Sequence, residues 1–411
     1  MKRLGSPNIG IVHEWFASYA GSERVVEQIL RVYPEAQLYA LVDFLPKAER
    51  QMLEGRRVET SFLQRMPFAR KKFRGYLPLM PLAVEQFNLE THDIVVSSNH
   101  AVAKGIITRP DQLHICYTHT PIRYAWDLQH QYLKEAGLSR GLRSALARTL
   151  LHYLRLWDHV SAQRVDVFVA NSRFIAERIR KIYGRASEVL YPPVNVDAFP
   201  LCRSKQDFYF TASRLVPYKK VDIIIDAFRL MPDKRLVVIG DGPMFKQWAA
   251  RAPANVEMLG YQPQEVLKQY MQQAKAFVFA AEEDFGITPV EAQACGTPVL
   301  AFGRGGSLET VVDGVTGSFF SEQTPEAIAD LVDEWEPTAK HVDPDRVRLH
   351  ACGFSRSRFR REFAELVQRH WTLFRRGQRL PLREAELGFD AKPFESEDAV
   401  DDQPVACKGE P

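Results

Sequence analysis

The chain has 411 residues, of which 45% are hydrophobic and 26% are charged, and its formal net charge is +3 at pH 7. This length fits two domains of ordinary soluble composition, and so small a net charge gives no support to nucleic-acid binding. The five cysteines are scattered and show no zinc-type spacing, so we expect a protein of the reducing cytoplasm without a metal site.

The first predicted strand, at residues 8–12, is followed by a glycine turn at Gly21 and Ser22. Apolar residues at helical spacing, beginning with Val25, indicate that this turn is the loop and cap of a helix. In a parallel sheet, the turn between the first strand and the first helix lies at the edge where ligands bind. A Gly-Ser turn on its own is weak support, and an ordinary turn is the alternative.

A basic and aromatic segment occupies residues 56–76. Its cations and phenylalanines are Arg56, Arg57, Arg65, Arg70, Lys71, Lys72, Arg74, Phe62, Phe68 and Phe73. Such a surface suits the edge of an anionic membrane, whereas a solvated loop with snorkelling side chains is the alternative. The sequence has no bilayer-spanning apolar stretch of ~18 residues and no signal-peptide pattern, so membrane contact would be peripheral. A predicted basic amphipathic helix at 138–157 has the same two interpretations, domain packing or membrane contact.

Two further predicted strands, at residues 93–97 and 113–118, end in polar segments. His119 follows the second strand, with an arginine and two aromatic residues behind it, and such groups can stack on sugar rings and bind hydroxyls. A single histidine in this position is usually structural. His114 and Cys116 are close in sequence, but strand alternation directs them to the face opposite His119, so we expect no metal site.

After a predicted strand at 165–170, the proline-rich segment 191–206 is predicted to be a hinge between two domains. The second half begins with a strand at 208–212, beyond which Arg214 and Lys219 flank a strand–helix turn. Two cations in such a turn can neutralise a diphosphate without a metal ion. The alternative is that both are solvated, as basic residues in turns generally are.

A predicted strand at 236–239 leads into a tight turn with Gly240 and Gly242, which we place beside a base and ribose pocket. This turn is not the GxGxxG fingerprint of nicotinamide-binding proteins. A strand at 256–259 and a helix at 263–274 are predicted next.

Strands predicted at 276–280 and 297–302 enclose Glu283 and a short helix that carries Glu291, with Thr288 as its N-cap. Carboxylates that face one crevice can accept hydrogen bonds from the paired hydroxyls of a sugar or a ribose. A glycine-rich loop after the second strand lets backbone amides approach an anion. Solvated loop and helix charges are the alternative interpretation of both glutamates.

The segment EDFGITPVEAQACGTPV, residues 283–299, resembles the E-x7-E signature of the retaining glycosyltransferases of family 4. Arg214 and Lys219 match the R-x4-K pair of that family. The segment YTHTPIRYAWD, residues 117–127, is similar to one in its bacterial O-antigen and exopolysaccharide mannosyltransferases. The resemblance covers about residues 8–374. It implies the GT-B fold, an α/β protein of two Rossmann-like doubly wound domains facing a central cleft, with a C-terminal helix that crosses back to the first domain.

This resemblance implies an acceptor domain at 1–190 and a nucleotide-sugar domain at 207–353, joined by the hinge at 191–206. The crossover helix is expected at 354–376, and a tail at 377–411 is expected to be disordered.

The resemblance also implies roles for individual residues. The catalytic set is Arg214, Lys219, Glu283 and His119. The two cations would stabilise the departing diphosphate, and Glu283 and His119 would contact the transferred sugar. The donor-binding set is Gly21, Ser22, Gly240, Gly242, Gly286, Ile287, Thr288 and Glu291. The family usually has GGxER where this chain has AGSER, so one glycine of the phosphate loop is shifted or lost. No cofactor or metal is implied.

The implied function is transfer of a sugar, with GDP-mannose as the preferred donor, to a lipid-linked or growing polysaccharide acceptor of O-antigen, lipopolysaccharide or exopolysaccharide. The preference for GDP-mannose is based on the YTHTPIRYAWD segment alone, since no residue is identified that selects guanine over uracil. The alternatives are a transferase that uses another UDP- or GDP-linked sugar, a GT-B phosphorylase or epimerase, and a non-catalytic binding protein.

Overall fold

The computed structural model describes residues 7–377, which divide into two compact units. The first unit comprises residues 7–191 and 359–377, and the second comprises residues 192–358. The predicted disorder of the C-terminal tail, from residue 378 onward, lies outside the described residues.

The first unit is an α/β layer structure. Its strands are β1 Ile9–His13, β2 Gln37–Ala40, β3 Val58–Thr60, β4 Ile94–Asn99, β5 Leu113–Thr118, β6 Val167–Ala170 and β7 Glu188–Val189. Its helices are α1 Gly21–Val32, α2 Ala69–Lys72, α3 Met80–Glu85, α4 Gln129–Glu135, α5 Leu142–Ala162 and α6 Arg173–Tyr183. Shorter 3-10 turns lie at Lys47–Leu53, Phe62–Arg65, Phe73–Leu79 and Ala103–Gly105.

The strands of the first unit form one parallel sheet in the order β3-β2-β1-β4-β5-β6-β7. Strands β1, β4 and β5 are buried along their whole lengths, as expected of a parallel sheet that is covered on both faces. The strand order changes direction between β1 and β4. The loops that follow these two strands therefore lie side by side at the topological switch point, where α/β sheets bind ligands.

The second unit repeats this architecture. Its strands are β8 Tyr209–Ala212, β9 Leu236–Ile239, β10 Val256–Gly260, β11 Ala276–Phe279, β12 Val299–Phe302 and β13 Gly317–Phe320. Its helices are α7 Val221–Leu230, α8 Phe245–Arg251, α9 Gln264–Gln273, α10 Ile287–Ala294, α11 Ser307–Thr310, α12 Pro325–Trp335 and α13 Pro344–Cys352. Its 3-10 turns lie at Val196–Ala198, Pro217–Lys219 and Glu336–His341.

The second sheet is also parallel, in the order β10-β9-β8-β11-β12-β13. Its switch point lies between β8 and β11, whose pairing aligns Tyr209 with Ala276. The predicted fold class, two Rossmann-like α/β domains with parallel sheets, is thereby confirmed.

The C-terminal helix α14 runs from Arg356 to Arg375. Its residues from Phe359 onward belong to the first unit, where Phe359, Phe363 and Leu366 pack into the core beside β1 and β5. The helix therefore leaves the second unit and completes the core of the first, as the fold prediction states.

Every strand predicted from the sequence is present, with its ends within two residues of the predicted ones. The predicted helix at 138–157 is wrong in its bounds, since α5 begins at Leu142, after its N-cap Gly141 at φ +86°, and continues to Ala162. The basic segment 56–76 is not a plain loop, because it contains β3, two 3-10 turns and α2. Within the described residues, no helix is long and apolar enough to cross a membrane.

Candidate functional site

In the second unit, the predicted site residues lie in the loops that follow adjacent strands. Arg214 and Lys219 follow β8, Gly240 follows β9, and Glu283 follows β11. Since these strands are parallel neighbours, their carboxyl ends share one edge of the sheet. The sequence therefore gathers its charged and glycine residues at the switch point of this sheet.

Lys219 and Glu283 are in direct contact, because the ammonium Nζ donates a hydrogen bond to the carboxylate Oε1. The side chains remain accessible, with 21% and 18% of their surfaces exposed. Arg214 is exposed and lies on the same loop as Lys219. The structure thus joins one predicted cation to one predicted carboxylate and leaves the second cation open to solvent.

Gly240 and Gly242 hold the Arg214 loop in place. A Cβ atom on Gly240, which has φ +147°, would lie 1.8 Å from the carbonyl oxygen of Ser213. A Cβ atom on Gly242 would lie 2.4 Å from the carbonyl oxygen of Leu215, whose N–H donates to the carbonyl of Asp241 at 2.9 Å. These glycines are therefore needed for the close approach of two loops.

The glycine loop after β12 also packs against the loop that carries Glu283. The N–H of Gly306 donates to the carbonyl of Glu283 at 2.8 Å, and a Cβ atom on Gly306 would lie 2.3 Å from the Cα of Phe285. This N–H group is thus already engaged. The expectation that the amides of this loop are available to an anion does not hold for Gly306.

Helix α10 begins earlier than predicted. Gly286, at φ +88°, is the N-cap, Ile287 is the first helical residue, and Thr288 lies inside the helix. The prediction of Thr288 as N-cap is wrong because Gly286 adopts the left-handed conformation from which the helix starts. Pro289 is tolerated in the first turn, where an N–H would have no partner within the helix. The same geometry leaves the N–H groups of Ile287 and Thr288 without an intrahelical acceptor.

Glu291 lies in the middle of α10 and is only 6% exposed. The interpretation of Glu291 as a solvated helix charge is therefore wrong. A buried carboxylate is costly unless polar groups satisfy it, so its presence in this helix needs a structural or functional reason.

In the first unit, Gly21 and Ser22 are the first two residues of α1, and Ala20 is the N-cap. The prediction that these two residues form the loop and cap is wrong by one position. Glu23 stabilises this start, since its Oε2 accepts hydrogen bonds from the Ala20 N–H at 3.1 Å and from the Ser22 hydroxyl at 3.0 Å. The N–H groups of the first turn keep the geometry that favours a bound anion.

His119 follows β5 and is partly exposed. Its Nε2 lies 2.8 Å from the Oγ of Ser98, which lies 3.1 Å from the Nδ1 of His13. The Nε2 of His13 faces the Oε1 of Glu23 at 3.5 Å. Burial lowers the pKa of the His119 imidazole well below its usual range, and His100 and His13 add to the effect.

The pKa of Glu23 is depressed to about 2. Burial alone would raise this pKa, but the hydrogen bond and charge interaction with His13 and the hydrogen bond from Ser22 outweigh the burial. The carboxylate of Glu23 is therefore ionised throughout the neutral pH range.

Sequence reasoning assigned no role to His13, Ser98 or Glu23. The signal that could have found His13 and Ser98 is the presence of polar residues toward the ends of strands β1 and β4. Glu23 is instead marked by its place as the acidic residue in the first turn of α1. Their burial, at 0%, 0% and 3% exposure, means that each must be satisfied by another polar group.

Other polar side chains on and after β5 make contacts within the first unit. The Nε2 of His114 bonds to the Oγ of Ser97 at 2.8 Å, and the indole of Trp126 donates to Asp158 of α5 at 2.7 Å. Asp127 forms an ion pair with Arg178 of α6. Among the described residues, no group of three or more His, Cys, Asp or Glu side chains is placed to hold a metal ion.

Two family profiles match consecutive parts of the chain. The profile described as Glycosyltransferase Family 4 matches residues 19–198, and the profile described as Glycosyl transferases group 1 matches residues 197–343. The second match includes every predicted site residue of the second unit.

Curated relatives match over part of the chain. The GDP-mannose-dependent alpha-(1-6)-phosphatidylinositol monomannoside mannosyltransferase of Mycolicibacterium smegmatis is 31% identical over 198 residues, which cover 41% of this chain and 52% of that protein. The D-inositol 3-phosphate glycosyltransferase of Mycobacterium sp. strain KMS is 30% identical over 181 residues, 37% of this chain and 40% of that protein. The chain thus spans about half or less of the length of these relatives.

Among solved structures, Anabaena HepE in complex with UDP and glucose superposes with a TM-score of 0.65. The superposition covers 88% of this chain and 100% of that chain at 18% sequence identity. At this identity the similarity concerns the fold, which is that of GT-B proteins.

Proposed function

The chain belongs to the group 1 and family 4 glycosyltransferases with the GT-B fold, and we propose that it is a retaining enzyme that transfers mannose from GDP-mannose. The proposed acceptor is a lipid-linked or growing polysaccharide of the O-antigen, lipopolysaccharide or exopolysaccharide class. The observation that carries the proposal is the Lys219–Glu283 contact at the switch point of the second sheet. The name of the M. smegmatis relative supports the choice of GDP-mannose.

In this proposal, Arg214 and Lys219 stabilise the charge that develops on the departing nucleoside diphosphate. Arginine contributes a planar fork of donors and lysine a compact point charge, so together they neutralise a diphosphate without proton transfer. Interactions that strengthen as charge develops lower the barrier rather than merely tightening substrate binding. The N–H groups of Ile287 and Thr288, beyond Gly286, add positive dipoles to the same role.

The carboxylates bind hydroxyl groups in this proposal. Glu283 accepts hydrogen bonds from the transferred sugar and Glu291 from the ribose of the nucleotide. His119 contacts the transferred sugar, and Gly21 and Ser22 present the backbone amides of α1 to the donor phosphate. Gly240 and Gly242 lie in the turn assigned to the base and ribose.

No side chain is assigned as the general base. As the family resemblance implies, the acceptor hydroxyl attacks the anomeric carbon from the side of the leaving diphosphate. The bond from that carbon to the diphosphate oxygen breaks, and a diphosphate oxygen takes the proton of the hydroxyl. Attack and departure on the same face retain the anomeric configuration.

The donor is tested by measuring hydrolysis and transfer with a panel of GDP- and UDP-linked sugars. We expect turnover with GDP-mannose, which is lost by about 100-fold or more in Lys219→Met and Glu283→Gln. A matched control is Lys268→Met, which removes the surface ion pair with Glu265 on α9. Inactivity with GDP-mannose would remove this donor, and a loss below tenfold in both variants would contradict the site.

Another nucleotide sugar is the second candidate donor, because the structurally similar Anabaena HepE is in complex with UDP and glucose. Turnover of a UDP-linked sugar, with the same dependence on Lys219 and Glu283, would support it. Release of sugar phosphate from free phosphate would instead identify a phosphorylase, and isomerisation without an acceptor would identify an epimerase. A non-catalytic binding protein would leave every cellular phenotype intact in Lys219→Ala and Glu283→Ala.

Peripheral membrane contact through the segment 56–76 is also proposed. Phe68 is 77% exposed and adopts φ +58°, and Arg70, Lys71 and Lys72 beside it are exposed. A protruding aromatic ring flanked by cations suits the interface of an anionic bilayer.

Helix α5 extends this surface. Leu142 and Leu146 are 90% and 73% exposed, while Leu151 and Leu154 on the opposite side are buried with Leu77, which follows the basic segment. The helix therefore packs into the domain through one side and presents apolar side chains to solvent through the other. Its single acidic residue is buried, so the exposed charges of α5 are all basic.

Flotation with vesicles that contain anionic lipid tests the membrane proposal. We expect the triple variant Arg70→Glu, Lys71→Glu and Lys72→Glu to lose binding, and Phe68→Ser to weaken it. Vesicles of neutral lipid serve as the control, since they lack the charge that attracts the cations. Unchanged flotation of the triple variant would refute this contact.

A further inference from the structure

The first unit contains a continuous chain of polar contacts from the start of α1 to His119. In order, its members are Glu23, His13, Ser98 and His119, with contacts of 3.5, 3.1 and 2.8 Å. We propose that this chain, defined as the Ser98 relay, is a positioning device that fixes the tautomer and ring orientation of His119. The proposal rests on the proposed function only for the sugar contact of His119; the relay itself is a property of the protein alone.

The carboxylate of Glu23 at one end of the relay determines which atom carries each proton. Glu23 is a carboxylate and can only accept, so the Nε2 of His13 must carry a proton toward it. At a pH high enough for His13 to be neutral, its Nδ1 is then an acceptor, and the hydroxyl of Ser98 donates to it. The oxygen of Ser98 is left to accept from the Nε2–H of His119. The relay therefore specifies the Nε2–H tautomer of His119.

This tautomer leaves the Nδ1 of His119 as an acceptor. Among the described residues, no hydrogen bond is made to this nitrogen, and the ring is partly exposed. A lone pair that faces outward can accept a hydrogen bond from a hydroxyl group of a sugar. We infer that His119 binds a ligand group that donates a hydrogen bond, such as a hydroxyl, rather than an acceptor such as a carbonyl or a phosphate oxygen.

The ring of His119 is also held by its neighbours. The ring of Tyr117 lies 5.2 Å from it in an edge-on arrangement, and that of His100 lies 6.3 Å away, also edge-on. Aromatic packing restricts the tilt of the imidazole, but a ring flip would exchange its nitrogens within the same space. The hydrogen bond to Ser98 is what distinguishes the two flipped orientations.

The relay also reaches the predicted phosphate loop. Glu23, which orients His13 through Oε1, holds the start of α1 through Oε2 by accepting from the Ala20 N–H and the Ser22 hydroxyl. One carboxylate thus contacts both the start of α1 and His13, the second member of the relay.

The chain offers a matched control for the relay. Ser97 and His114 form a second serine–histidine pair on the same two strands, with Oγ and Nε2 also 2.8 Å apart, and both are fully buried. Because alternate residues of a strand point to opposite faces, Ser97 does not take part in the Ser98 relay. Ser97→Ala removes the same hydroxyl from an equivalent environment.

The first experiment is nitrogen-15 NMR of protein labelled at histidine, without substrate, at a pH above the usual range of imidazole. We expect His119 to carry its proton on Nε2, with slow exchange against solvent. In Ser98→Ala this N–H signal should be lost through fast exchange with water. In the separate variant Ser98→Thr, which retains a hydroxyl, the signal should be present. In Ser97→Ala the signal of His119 should be unchanged. A proton on Nδ1 in the wild type, or an unaffected signal in Ser98→Ala, would overturn the relay.

The second experiment connects the relay to catalysis. With the donor identified by the panel above, we expect Ser98→Ala to lower kcat/KM by about tenfold to a hundredfold, since misplacing a contact group by ~1 Å has effects of this size. In the background of His119→Ala, Ser98→Ala should have no further effect. An equal effect in both backgrounds would mean that Ser98 is merely structural. Failure of the proposed function would leave the NMR result intact, so the two failures are distinguishable.

Discussion

The carboxylate of Glu14 is predicted to hold the segment after β4 in place. Glu14 is fully buried, and its Oε1 accepts hydrogen bonds from the backbone N–H groups of His100, Ala101, Val102 and Ala103 at 3.1, 2.7, 2.9 and 3.0 Å. Its Oε2 accepts a further bond from Val102 at 3.0 Å. Four amides that converge on one carboxylate form an anion-binding nest, here filled by the protein's own side chain.

The free-energy effect of replacing Glu14 can be worked out from the strength of these hydrogen bonds. A hydrogen bond to a charged acceptor contributes about 1.5–3 kcal/mol and one to a neutral acceptor about 1 kcal/mol. Replacing Glu14 by Gln keeps one oxygen but removes the charge, so four amides each lose roughly 0.5–1 kcal/mol, about 3 kcal/mol together. The side-chain amide group of Gln would also face some of these donors. We expect the segment 100–103 to open more easily by about 3 kcal/mol, which corresponds to about a hundredfold in its opening equilibrium.

Hydrogen exchange of the backbone amides measures this opening directly. In Glu14→Gln, the amides of residues 100–103 should exchange about a hundred times faster, while those of β12 in the second unit should keep their protection. Glu90→Gln is the matched control, because its side chain is exposed and bonds to none of these amides. An acceleration below tenfold at residues 100–103 would refute the view that the charge of Glu14 holds this segment.

Three further predictions concern buried groups. Since Glu23 has its pKa depressed from 4.5 to about 2, its contribution of about 3 kcal/mol is present above pH 4.5 and is lost as the pH falls toward 2. Chemical denaturation across this range should therefore show a weaker pH dependence in Glu23→Gln. Gly240→Ala places a Cβ atom 1.8 Å from the carbonyl oxygen of Ser213, so thermal unfolding should reveal a loss of about 3 kcal/mol or more, together with weaker donor binding. Lys104→Met leaves the fully buried Asp158 without its ion-pair partner and should cost about 3–5 kcal/mol in denaturant unfolding, which Asp158→Asn in the same protein should partly restore.

The strands of both sheets were predictable because a buried parallel strand is a short, continuous apolar run. Strands β5 and β9 have the predicted bounds, and β1 and β8 differ from them by one residue at one or both ends. Strand β13 was missed, since its sequence Gly317–Phe320 opens with a glycine and a serine and offers only two apolar residues. Strand β2 was missed as well, because it opens with the polar Gln37 and its apolar residues continue without a break into Leu41 and Val42.

Helix ends were less predictable than strands, because a terminus depends on one backbone conformation. Thr288 followed by proline is typical of a helix start, yet the left-handed conformation of Gly286 places the N-cap of α10 two residues earlier. Likewise, Gly21 is inside α1 because Glu23 caps the helix from Ala20 onward. In both cases the sequence contains residues that can begin a helix, but only the backbone geometry decides which of them is the N-cap.

The two parts of the candidate site differ in how far sequence could predict them. Lys219 and Glu283 could be placed together, because both lie in the segments that connect to the next helix after strands that a doubly wound sheet makes neighbours. The Ser98 relay could not, since His13 and Ser98 lie in two different strands, His119 follows a third, and their contacts depend on side-chain rotamers. Periodicity indicates that a residue is buried, but it does not identify the partner of a buried polar group.

Under the proposed function, the Lys219–Glu283 contact bears on how the site would accommodate a donor. Lysine has three N–H donors and uses one on Glu283, so two are available to a diphosphate without breaking the pair. Glu283 uses one oxygen on Lys219, which leaves the other to accept from a sugar hydroxyl. The pair therefore orients both side chains before the substrate arrives and limits the repulsion between a carboxylate and an anionic donor. Because this arrangement needs a compact cation with donors in several directions, the planar fork of an arginine at position 219 would not reproduce it.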